Sequence, residues 1–107
     1  MYLMLERISL SLEKLKRNVD FLVNSVGLSL ADLVKYYQLF SYSLEKRIIP
    51  RYRVMEALKT MQVQELKREI YLPTIFCMTE KGFMEKFINN NPESSSLLET
   101  YHGGNPH

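Results

Sequence analysis

Between Leu44 and Arg53 the chain reads LEKRIIPRYR, which sets Lys46, Arg47, Arg51 and Arg53 around Ile48, Ile49 and Pro50. Cations at this density suit one kind of chemistry, the binding of an anion. Net charge is +3 over residues 44–53, +1 over residues 1–43 and −2 over residues 54–107. The positive field is therefore local, as at a polyanion-binding surface, whereas an ordinary soluble surface intersperses the two signs. Two readings of the arginines stand side by side. Either all four cations meet phosphates, or the stems cover apolar neighbours while Arg47 and Arg51 bond carbonyls or carboxylates such as Glu45 and fix a turn between helices. Tyr36, Tyr42 and Tyr52 divide in the same way. They could stack on unpaired bases, or lie partly buried with the hydroxyl in water.

Other chemistries find little material. A nucleophile needs a base within hydrogen-bond reach, and the two histidines, His102 and His107, flank a glycine-containing tail. Gly27 stands alone and Gly103 with Gly104 precedes no helix, so no loop is built to cradle a phosphate. The single Cys77 cannot form an internal disulfide, and without nearby histidines it belongs to no zinc or iron ligand set. It reads as a small buried apolar residue. The expectation is a non-enzymatic protein with no cofactor, no metal and no small-molecule substrate.

The elements that must position the basic run are helices. Leu12, Leu15, Val19, Leu22 and Val26 recur at spacings of three and four, with Lys14, Lys16, Arg17 and Asp20 turned to water, and Gly27 supplies a left-handed stop. Ser29 with Asp32 forms a capping box for a helix running to about Phe40, its inner side being Leu30, Leu33, Val34, Tyr37 and Phe40. After a turn through Ser41 to Ser43, SLEKRI makes a brief helix. Pro50 keeps Ile49 from helical angles and opens a new helix, Arg51 to Met61, whose Val54, Leu58 and Met61 face Leu33, Val34 and Tyr37. Thr79 caps a helix that buries Phe83, Met84, Phe87 and Ile88; a polar loop spans Asn89 to Ser96, and a last turn reaches Tyr101.

The second half repeats the first faintly. An offset of 35 aligns Val26, Gly27 and Leu28 with Met61, Gln62 and Val63; an offset of 36 aligns Val34 with Ile70, Leu39 with Ile75, Phe40 with Phe76 and Tyr37 with Pro73. Two helices per period in the mid-thirties is the pattern of an α-solenoid. The fold class is all-α, a helical-repeat arc over residues 1–101 with a flexible tail over 102–107. At 46% hydrophobic and 24% charged residues the chain is ordinary for a globular domain, and no apolar run reaches the roughly 18 residues of a membrane helix. Solenoids need at least roughly three repeats, so the chain reads as the end of a longer protein.

The run VGLSLADLVKYYQLFSYSLEKRIIPRYRVMEAL, then IYLPTIFCMTEKGFMEKFI and LLETYHGG, resembles the carboxy-terminal repeats of the plant mitochondrial transcription termination factor (mTERF) family. The resemblance rests on Leu39, Phe40, Ser43, Leu44, Glu45, Arg47, Ile48, Pro50 and Arg51, then on Pro73, Ile75, Phe76 and Phe83. Tyr37 departs from the pattern where Pro73 keeps the repeat proline. The resemblance implies a stack of helical repeats whose basic surface, here Lys46, Arg47, Arg51 and Arg53, binds nucleic acid in mitochondria or chloroplasts, most readily double-stranded DNA, and regulates transcription, termination included. It also implies RNA processing as an alternative. The rival from outside the family is a protein-interaction α-solenoid whose basic run meets an acidic partner. The amino terminus carries no clear transit peptide, since Glu6 and Glu13 interrupt its basic residues.

Overall fold

The computed structural model describes residues 12–60, 71–89 and 91–102. Among them every regular element is helical, and the chain divides into two compact units, Met1–Leu44 and Glu45–His107. The expected positions of Met61, Gln62, Val63 and Ile70 lie outside the described residues, as do residues 103–107 of the tail.

In the first unit, helix α1 covers residues 12–20 and continues as a wider π-helical turn, Phe21–Val26. It stops at Gly27, whose φ of 89° is the left-handed geometry that glycine adopts without a Cβ penalty. The amides of Gly27 and Leu28 both return to the Leu22 carbonyl, which closes the helix end. Helix α2, Leu30–Lys35, begins with the expected box: the Asp32 amide donates to Ser29 Oγ and the Ser29 amide to Asp32 Oδ2, each at 3.1 Å.

The helix ends earlier than the sequence periodicity predicts. At Tyr36 the backbone leaves helical angles (φ −115°, ψ 53°), and a 3₁₀ turn, Tyr37–Phe40, follows. Three residues per turn instead of 3.6 shifts the inward position along the chain. Leu39, within this turn, is fully buried, whereas Leu30 and Val34, which lie in α2 ahead of it, and Tyr37, all expected inside, are 75%, 75% and 71% exposed. Leu22, Leu33 and Leu39 form the buried apolar set of this unit, with Leu44 at its end.

In the second unit a π-helical turn, Leu44–Ile48, runs directly into α3, Ile49–Thr60. Ile49 is helical, contrary to expectation. Pro50 lacks the amide that would bond back along the helix, and its ring crowds the carbonyl four residues earlier; a locally widened turn accommodates both faults without breaking the helix. Helix α4, Leu72–Cys77, carries Pro73 in its first turn, where a missing amide costs nothing. Helix α5, Glu80–Phe83, is capped by Thr79, whose Oγ accepts the Gly82 amide, and it continues as a π turn, Met84–Asn89. Helix α6, Ser94–Tyr101, starts two residues ahead of expectation, because Asn91 accepts the Glu93 amide on its side chain and the Ser94 amide on its carbonyl.

The core of this unit joins Val54, Met55 and Leu58 of α3 to Ile75, Phe83, Phe87, Ile88, Leu97 and Tyr101. Val54 and Leu58 belong to this core; of the residues they were expected to face, Val34 and Tyr37 are exposed and Leu33 is buried. The Phe83 ring lies 5.3 Å from Phe87 and 5.1 Å from Tyr101, both tilted. Met84 and Cys77 are half-buried rather than buried.

Candidate functional site

The basic run is divided by depth. Arg51 shares the inward stripe of Val54, Met55 and Leu58 and is 1% exposed, Arg47 one turn earlier is half-buried, and Lys46 and Arg53 are exposed. A buried guanidinium needs acceptors, since desolvating an unpaired charge is prohibitively costly. The carbonyls at the end of α4 supply them. Arg51 Nη1 donates to Ile75 O at 2.9 Å, Phe76 O at 3.1 Å and Met78 O at 2.7 Å. Arg47 donates from Nε to Phe76 O at 2.9 Å and from Nη2 to Met78 O at 2.6 Å.

These oxygens lie at and just past the end of α4, where carbonyls are short of partners, Ile75 O taking only the Met78 amide from the backbone, at 3.3 Å, and where the helix dipole is negative, so two cations satisfy both needs together. Arg51 Nη2 also stands 3.6 Å from Glu80 Oε1, the oxygen that accepts the Tyr101 hydroxyl proton. Its guanidinium carbon lies 4.9 Å from the centre of the Phe83 ring. One arginine of α3 therefore ties α4, α5 and α6 together. Of the two sequence readings, bonding to carbonyls is what Arg47 and Arg51 do, and a phosphate cannot reach Arg51 without displacing these elements.

The first unit contains a second such device that sequence reasoning missed. Asn18 of α1, 1% exposed, donates through Nδ2 to Leu39 O and Phe40 O at 3.1 Å and to Tyr42 O at 2.9 Å, and Lys14 Nζ reaches Ser41 O at 2.8 Å. Lys14 and Asn18 are spaced as Arg47 and Arg51 are, one helical turn apart on one face. The signal was present: Asn18 falls on the apolar stripe between Leu15 and Leu22, where a polar residue needs a reason.

The tyrosines near the patch are half-buried. Burial pushes the Tyr52 phenol above its usual range, and its hydrogen bond to Glu56 and that carboxylate's charge push the same way. Lys35 Nζ sits 5.7 Å from the Tyr36 ring centre. Among the described residues no three histidine, cysteine or carboxylate side chains converge as a metal site, and no helix is long and apolar enough to cross a membrane.

No curated protein and no solved structure matches the chain. The mTERF family model matches residues 3–84, a span that takes in both donor pairs and all the carbonyls they hold; the chain belongs to the mTERF family.

Proposed function

We propose that the chain binds nucleic acid, double-stranded DNA above all, through the outer side of α3, and that it regulates organellar transcription, termination included. Membership of the mTERF family associates it with nucleic acid and organellar transcription in general. The observation that carries the finer reading is the division of labour along one helix. Arg47 and Arg51 are engaged with the carbonyls that end α4, while Lys46 and Arg53 are exposed. The inner pair holds α3 in place, so the outer pair is presented from a fixed support, with Arg47 near enough the surface to add its field. Neutralising phosphates releases counterions, which gives salt-sensitive binding largely independent of sequence.

The test is a salt titration of binding to unrelated duplexes with Lys46→Gln and Arg53→Gln combined. Affinity falls alike for every duplex, and the dependence of log affinity on log salt flattens by about 0.9 for each phosphate no longer neutralised. A variant that keeps both affinity and slope excludes this face as the binding surface.

A further inference from the structure

Two phenylalanines of α5 and its π turn stand where α3 has its donor pair. The offset of 36 that lays Leu39 on Ile75 also lays Arg47 on Phe83 and Arg51 on Phe87, so positions four apart carry rings instead of guanidinium groups. Such positions call for an apolar partner. Helix α6 supplies it through the two residues it buries, Leu97, fully buried, and Tyr101, 6% exposed with its ring 5.1 Å from Phe83. The Tyr101 hydroxyl donates to Glu80 at the edge of this contact, and Ser95, Ser96, Leu98 and Glu99 are exposed. An eight-residue helix anchored by one aliphatic and one aromatic side chain is seated as a helical ligand sits in an apolar groove.

Charge separates this helix from the face beneath it. The elements that form the face, residues 49–60 and 80–89, sum to +2, because Arg51, Arg53 and Lys59 outweigh Glu56 while the second segment is neutral; residues 93–101 sum to −2 through Glu93 and Glu99. Val54, Met55, Leu58 and Phe83 lie within the span matched by the mTERF model, and α6 lies beyond it. We propose that α6 is an internal occupant of a helix-binding face on α3 and α5, and that an acidic amphipathic helix of a partner protein, with an aliphatic residue and a tyrosine four positions later, docks there in its place. The inference does not rest on the nucleic-acid reading.

The test uses the full chain and, as probe, a fluorescent peptide of residues 93–102. Leu97→Ser with Tyr101→Ser removes both anchors of the chain's own α6; circular dichroism shows the loss of one short helix, and the peptide binds. The wild-type chain, whose tethered α6 competes at an effective concentration on the order of millimolar, binds it on the order of a hundredfold more weakly. A peptide carrying the same two serines does not bind, and one with Glu93→Lys and Glu99→Lys binds on the order of tenfold more weakly, a gap that added salt closes. In the wild-type chain, amide hydrogen exchange is faster in α6 than in α3, as an element that opens by itself requires. The proposal is overturned if the serine variant fails to bind the peptide, binds the serine peptide as well, or loses helix beyond α6. It is also overturned if wild type and variant bind alike, if charge reversal in the peptide changes nothing, or if α6 and α3 exchange together.

Discussion

Asn18 and Arg51 hold equivalent carbonyl triplets: Leu39, Phe40 and Tyr42 for Asn18, Ile75, Phe76 and Met78 for Arg51, each acceptor 36 positions beyond its counterpart. The donors themselves are only 33 apart. The second unit thus has three more residues between donor and acceptor, which is why no single offset aligns the two halves of the sequence. One donor is a neutral amide and the other a guanidinium, yet both answer the same physical demand, carbonyls short of backbone partners where a short helix ends.

That demand makes Arg51 and Arg53 opposite in kind although they are two residues apart. Arg51→Met takes one donor from each of three carbonyls, of which Phe76 O and Met78 O keep Arg47 and Ile75 O keeps the Met78 amide, and it removes the ring and Glu80 interactions, a destabilisation of about 3 kcal/mol. Arg53→Gln, at an exposed position, costs no more than about 0.5 kcal/mol. Chemical denaturation midpoints at unchanged slope check both, and equal losses would refute the division by depth.

At Asn18 the decisive variant is Asn18→Asp. It keeps shape but aims a carboxylate at three carbonyl oxygens, so it destabilises by about 3 kcal/mol at neutral pH and partly recovers as acid protonates the group. Asn18→Leu lacks the repulsion and costs about 1–3 kcal/mol at any pH. Denaturation of the two variants at pH 7 and in mild acid distinguishes missing donors from added repulsion.

Much of this was legible in the sequence, and the parts that were not share a cause. Gly27, the Ser29 and Asp32 box, the Thr79 cap and the inward Leu33, Val54, Leu58, Phe83, Phe87 and Ile88 all follow from patterns a few residues long. The acceptors of Asn18 and Arg51 lie 21 to 27 residues downstream, so nothing local announces them. What remained visible was a polar residue on an apolar stripe, together with the offset of 36 that pairs Leu39 with Ile75 and Phe40 with Phe76. For the candidate site, local charge density draws attention to residues 44–53, but charge density cannot say which cations point inward. That depends on where α4 ends.

Tyr101 links α6 to this arrangement through Glu80, and its pKa is raised above the ordinary 10.0, first by burial and then by the hydrogen bond it donates to Glu80, with Arg51 opposing. A group held protonated in the fold contributes stability in full below the unfolded pKa and loses it as pH rises through the folded value. Stability should therefore begin to fall above about pH 10 as the unfolded chain releases this proton first. In Tyr101→Phe that part of the alkaline decline is gone, and the neutral-pH stability is lower by about 1 kcal/mol. Denaturation across an alkaline series, alongside ultraviolet titration of tyrosinate, tests it; a Tyr101→Phe curve parallel to wild type would be the contrary result.

Helix α2 holds the sharpest contrast between adjacent residues. Leu33 is 3% exposed and Val34 75% exposed, although sequence periodicity puts both on the inner side. Leu33→Ala removes buried methyl groups from the small core of the first unit and costs about 2–5 kcal/mol. Val34→Ala removes almost no buried area and exchanges a β-branched residue for the best helix former, so its effect lies within about 0.5 kcal/mol and on the stabilising side. If Val34 instead lay inside with Leu33, both substitutions would destabilise, and the cost at Val34 would exceed about 1 kcal/mol. Thermal or denaturant unfolding of the two single variants decides between a helix that buries Leu33 alone and one that buries Val34 as well.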